Sequence, residues 1–129
     1  MDSSLRQKGF LPCPNPGSAI CLLIFSVEII RLCDEIKGHH SLVNQLERSA
    51  TSIGANIHEA NYAHGKPDFI AKLQIALKEC YETEYWLEVF VKSEIIDRET
   101  AKKLYNQCGT IRRILIASVN TTKENLKRE

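Results

Sequence analysis

Glu59, Glu79, Glu82 and Glu84, with His39, His40, His58 and His64, are the side chains here whose types could ligate a metal. Placed on helices, such a set suggests a di-iron carboxylate site. That chemistry needs an inward Glu on each of two helices and a Glu-x-x-His pair on each of two others. No Glu-x-x-His occurs in the chain, and Gly38 falls between Glu35 and His39, where it should end a helix. The expectation is no metal and no cofactor, with His58 and His64 at a surface or an interface. Glu59 and Glu84 are expected to pair with Arg48, or to hydrogen-bond Asn56, Tyr62 or Tyr85, and so fix helix register.

Nucleophilic catalysis also lacks its parts. There is no G-x-S-x-G turn, and "NPGS" near the start lacks the Gly-Lys-Ser/Thr of a phosphate loop. Five cysteines, Cys13, Cys21, Cys33, Cys80 and Cys108, include no C-x-x-C pair. Their odd number reads as buried free thiols in a reducing compartment rather than a disulfide framework. The chain is expected to be no enzyme.

Charge is the remaining chemical signal. The total is nearly balanced, at +1 over 129 residues. From Glu79 to Glu99, however, seven acids face two bases, and from Thr100 to Glu129 seven bases face two acids. Neighbouring helices could simply pair these faces, worth a few tenths of a kcal/mol per contact. Alternatively, Arg48, Lys102, Lys103, Arg112 and Arg113 could contact phosphates, with assembly of several copies multiplying a modest basic stripe. Such binding of RNA or DNA is expected to follow shape and charge, because no aromatic platform is evident beside the basic residues.

The elements that must position these groups follow from periodicity. Hydrophobic residues make up 43% and charged residues 26%, the balance of an ordinary globular domain. Residues 1–18 hold three of the four prolines and read as an irregular arm. The first helix should start at Ser18 as N-cap and run to about Lys37, with Leu22, Phe25, Ile29, Leu32 and Ile36 inward. Leu23, Val27 and Ile30 add a second apolar stripe. The apolar run "AICLLIFSV" is about half the length of a membrane span, and no small-residue cleavage site follows it. A cytoplasmic protein without membrane attachment is expected.

The second helix should run from about Ser41, with Val43, Leu46, Ala50, Ile53, Ile57, Ala60 and His64 at three-four spacing. Pro67 and Asp68 suit the first turn of a third helix, whose stripe is Phe69, Leu73, Ala76, Cys80, Thr83, Leu87 and Val91. Asp97 can cap a fourth, carrying Ala101, Leu104, Cys108, Ile111 and Leu115 inward to about residue 125, before a frayed tail at 126–129. No strand pattern appears. Four amphipathic helices with short connections predict an all-α, antiparallel up-down-up-down four-helix bundle over residues 19–125.

One residue in this scheme is costly. Gly54 sits mid-helix, where glycine loses about 1 kcal/mol relative to Ala. With Ala50 four residues earlier it makes helix two slim enough for another backbone to approach closely. That neighbour could be a bulky residue of the same bundle such as Trp86, or a second subunit docking on Ala50, Ile53, Gly54 and Ile57. The extra apolar stripes on helices one and three favour self-association.

The segment "LERSATSIGANIHEANYA", followed by "FIAKLQIALKECYETEYWL", resembles the four-helix bundle protein family of bacteria. That family includes the 23S rRNA intervening-sequence proteins, and accessory proteins of diversity-generating retroelements share its fold. The resemblance runs from about Phe25 to Asn120. Arg48, Ser49, Ser52, Ile53, Asn56, Ile57 and Glu59 fall on the family pattern, as do Ala76, Leu77, Glu82, Glu84 and Leu87. It implies a homopentamer with nucleic-acid binding and no established catalysis. The arm before Ala19 has no counterpart, and "KGHHS" is shorter than the family's usual connection. Two functions are therefore expected to compete: an oligomeric nucleic-acid-binding bundle, and a scaffold or adaptor for a protein partner.

Overall fold

The computed structural model describes residues 18–129, so the arm expected over 1–17 lies outside the described residues. Four helices follow one another: α1 (Ala19–Glu35), α2 (His40–Ala60), α3 (Lys66–Lys92) and α4 (Arg98–Lys127). No strand occurs among the described residues.

Each boundary has a local cause. Ser18 accepts a hydrogen bond from the Cys21 N–H at 3.2 Å, and Asp97 accepts one from the Thr100 N–H at 2.9 Å, so both act as N-caps. Hydrogen bonds from the Thr100 hydroxyl and backbone to Asp97 hold its carboxyl below the usual carboxylate range. α1 stops at Glu35, two residues before the expected Lys37, and the chain then turns through left-handed Gly38 and His39. α2 ends at Ala60 rather than continuing to His64, which is exposed beyond the helix and whose N–H donates to Asp68 at 3.3 Å. α4 continues to Lys127, into the stretch expected to fray, where Glu129 pairs with Lys66 at the start of α3.

Cross-helix pairs establish the directions. Between α2 and α3, Ser49 meets Thr83 and Glu59 meets Lys72. Between α3 and α4, Lys66 meets Glu129 and Glu84 meets Arg112. As one number rises the other falls, so adjacent helices are antiparallel. α1 packs chiefly on α2 and more lightly on α4, which closes the ring as an up-down-up-down bundle.

The core takes Phe25 and Ile29 from α1, Leu46, Ala50 and Ile53 from α2, Leu73, Cys80, Leu87 and Phe90 from α3, and Leu104, Cys108, Ile111 and Leu115 from α4. Some expected positions shift. On α1, Cys33 is buried while Leu32 and Ile36 only flank the core; on α3, Ile70 and Phe90 are buried while Phe69 and Val91 flank it. Strict three-four counting drifts around a long helix, and the true inward line follows the neighbours. Ser49 and Thr83 are fully buried polar residues, satisfied by each other at 3.1 Å and by backbone carbonyls.

Cys33, Cys80 and Cys108 are free and buried. Burial, with Glu47 and Asp34 adding to it, pushes the Cys33 thiol up to about 12. The Cys108 thiol is driven up by its hydrogen bond with Cys80 and then by burial. Neither is a reactive thiolate. Cys21 corrects the expectation of five free thiols: it is disulfide-bonded, on the first turn of α1 and outside the contiguous core. Among the described residues, no helix is long and apolar enough to cross a membrane.

Candidate nucleic-acid interface

The five basic residues singled out by charge do not form one surface. Arg48, on α2, lies 3.6 Å from Glu79 and pairs closely with Glu82, both on α3. Lys103, on α4, turns toward α1 and lies 3.8 Å from Glu28. Arg112, Arg113 and Lys102 remain on the α3–α4 side of the bundle or the outer face of α4. The expected pairing of Glu59 and Glu84 with Arg48 is replaced by Glu59 with Lys72, at 3.2 Å, and Glu84 with Arg112. Antiparallel register places Lys72 and Arg112 opposite those carboxylates, and Arg48 opposite Glu79 and Glu82.

Arg112 and Arg113 are built into the helix in a particular way. The Arg112 Nε donates to Glu84 Oε1 at 2.8 Å, and its guanidinium carbon lies 5.6 Å from the Tyr81 ring centroid. The hydrogen bond to Glu84 raises the Arg112 pKa further, so the group stays charged at any working pH. Arg113 donates from Nη2 to the Thr110 hydroxyl at 3.2 Å and is exposed. Gly109 precedes them by one turn. A Cβ placed on Gly109 would lie 3.5 Å from Arg112 Nη2 and 3.5 Å from Arg113 Nη1. Both guanidiniums therefore fold back over bare backbone, and these two nitrogens, each 3.5 Å from one point, are at most 7 Å apart. Among the described residues the pair meets one carboxylate, that of Glu84, which is itself buried and pairs with Arg112.

One aromatic ring, that of Tyr81, accompanies this pair, contrary to the expectation that none does. Tyr81 and Tyr85, one turn apart on α3, are 52% and 60% exposed, and Tyr105 on α4 is 40% exposed. Tyr105 shares a surface groove with Lys92, Arg98, Lys102 and Glu88. Tyr85 rests edge-on against Trp86, with ring centroids 5.2 Å apart. The i, i+4 spacing of the two tyrosines is visible in "YETEY", but their proximity to Arg112 depends on which turn of α4 lies beside them.

The slim face of α2 is occupied within the chain. Ala50 and Ile53 are fully buried, and Ile57 is half-buried against the core. The missing Cβ of Gly54 would face Ser26 Oγ at 3.6 Å and Leu22 Cβ at 3.8 Å, so α1, rather than Trp86, is the neighbour it admits. The stripe left open is on α1, where Ile20, Leu23, Val27 and Ile30 recur at three-four spacing and are all exposed. His39, His40 and His58 are exposed like His64, and among the described residues no group of three His, Cys, Asp or Glu could hold a metal.

Residues 23–117 match the family described as 23S rRNA-intervening sequence protein. Among solved structures, the chain is similar to a protein of unknown function from the S23 ribosomal protein family of Bacteroides thetaiotaomicron. The two are 41% identical with a TM-score of 0.74, over 78% of this chain and 96% of that one. Comparison with curated proteins gives no match.

Proposed function

The chain belongs to the 23S rRNA-intervening sequence protein family, and from that membership and the layout of charge we propose a non-enzymatic, oligomeric bundle that binds nucleic-acid phosphates. The observation that carries this reading is the Arg112–Arg113 pair over Gly109, in which Glu84 meets Arg112 while Arg113 is exposed and donates to the Thr110 hydroxyl. A phosphate oxygen accepts from such planar donors with charge-assisted hydrogen bonds, and it would balance the excess positive charge. Base edges are not required, so recognition is not sequence-specific.

Assembly strengthens the binding. The open stripe Ile20, Leu23, Val27 and Ile30 is an apolar surface that self-association would cover. Copies related by symmetry repeat the arginine pair, and linked weak contacts multiply. The family resemblance implies five copies. The same stripe supports the second reading, a scaffold whose partner is another protein.

A salt titration separates them. Binding of generic RNA and duplex DNA, followed by fluorescence anisotropy, is expected to weaken steeply with added salt, with a log–log slope of about −0.7 per phosphate contact on single strands. Arg113→Ala, at an exposed position, should reduce that slope without unfolding the bundle. Absence of binding at low salt, or binding indifferent to salt, leaves the scaffold reading. Sedimentation of the chain as a monomer at all concentrations would remove the oligomer.

A further inference from the structure

We propose that the α3–α4 face selects unpaired polynucleotide over duplex, with bases stacking on Tyr81 and Tyr85 while phosphates sit at Arg112 and Arg113. This rests on the phosphate-binding reading above and specifies its ligand. Tyr81 and Tyr85 are half or more exposed, which leaves one large ring in water beside Arg112 and a second one turn further along α3. Each ring has a neighbour that anchors it: Arg112 lies over Tyr81, and Trp86 packs nearly perpendicular to Tyr85. The anchored rings are held in place while their remaining surface stays open.

Spacing then chooses between strand states. Residues four apart on a helix are separated by about 6 Å along its axis. Stacked bases in a duplex are about 3.4 Å apart, and their faces are covered by each other. Tyr81 and Tyr85, set about 6 Å apart along α3, are spaced for bases that have been splayed apart rather than for successive bases of a stacked strand. An unpaired strand offers such bases, and aromatic stacking tolerates any base identity. Tyr105, also at the α3–α4 seam, lies in a groove with Arg98 and Lys102, which Glu88 and Glu94 line as well. A duplex would present only phosphates and leave the tyrosines unused.

The test uses the full chain with labelled 20-nucleotide oligo(U), oligo(dT), and an RNA and a DNA duplex of equal length at one salt concentration. Wild-type protein should bind the single strands more tightly than the duplexes; the oligo(U) and oligo(dT) arms show whether ribose matters. Tyr85→Ala should weaken single-strand binding about 5- to 150-fold, the range of stacking losses per base, and leave duplex binding and the salt slope unchanged. Tyr85→Phe should restore wild-type affinity. Trp86 is the only tryptophan, so its fluorescence should change on binding oligo(U) and not on binding duplex. The proposal is overturned if Tyr85→Ala and Tyr81→Ala each bind single strands within twofold of wild type, or lose single-strand and duplex binding equally. If Arg113→Ala still lowers affinity in that case, the phosphate reading survives alone. If no nucleic acid binds at low salt, both are lost.

Discussion

The two seams flanking α3 carry the same residue types and put them to different use. On the α2 side, Arg48 is held by two carboxylates, Glu79 and Glu82. On the α4 side, Glu84 meets Arg112, while Arg113 beside it donates to the Thr110 hydroxyl. The first seam is balanced against its neighbour and has little attraction left for a polyanion. The second retains positive charge and has exposed tyrosines beside it. A basic residue is thus a candidate ligand only when the opposing helix leaves it incompletely matched, which sequence counts of charge do not reveal.

Removing Arg112 should break this comparison most visibly. Arg112→Ala leaves the Glu84 carboxylate buried without its partner, and loss of about 3 kcal/mol in a urea melt is expected. A loss below about 1 kcal/mol would make the α3–α4 seam equivalent to an ordinary surface pair.

The two helical glycines sharpen the same contrast. At Gly54 a larger side chain meets Leu22 and Ser26 of α1, including Leu22 backbone at 4.0 Å. Gly54→Leu should cost about 2 kcal/mol through overpacking, visible as a lower melting midpoint even in the monomer. At Gly109 the neighbours are the flexible ends of Arg112 and Arg113. Gly109→Leu should weaken RNA binding by displacing the guanidiniums, and it should lower the midpoint only as far as it separates Arg112 from the buried Glu84.

Arg48→Ala should have a smaller effect. Its side chain is 51% exposed, and exposed ion pairs contribute about 0–1 kcal/mol. The salt slope of RNA binding should match wild type. A slope reduced as much as by Arg113→Ala would place phosphate on both seams and erase the distinction between them.

At the α1–α4 seam, Glu28 of α1 faces Lys103 of α4. Burial raises the Glu28 pKa above its ordinary 4.5, against the opposing pull of Lys103, Gln107 and Arg31. Between 4.5 and that raised value the folded chain holds the proton more tightly than the unfolded chain, so stability falls as pH rises through the window. Glu28→Gln should flatten this dependence and raise the melting temperature at neutral pH relative to wild type, while differing little below pH 4.5. A melting curve unchanged between variants at pH 7 would mean that Lys103 fully offsets the burial.

Much of the fold was legible because amphipathic periodicity is local. Ser18 and Asp97 as caps, the inward line from Ala101 to Leu115, and the second stripe on α1 can all be read within single helices. The candidate site was less legible. Arg112 and Arg113 stood out by charge, but Tyr81, Tyr85 and Glu84 precede them by 27 or more positions in the chain. Gly54 was recognisable as a close-approach residue, yet its neighbour proved to be Leu22 and Ser26 rather than Trp86.

By itself the sequence determined four helices, their antiparallel succession and the basic character of the last one, because turn signals and hydrophobic spacing act over a few residues. Only the tertiary structure decided which charges meet. Rotating or sliding a helix by one turn leaves its own hydrogen bonds intact but changes every side chain facing its neighbour, and that choice belongs to the packed core. It placed two carboxylates beside Arg48, one beside Arg112, and the open ring of Tyr81 next to that same arginine.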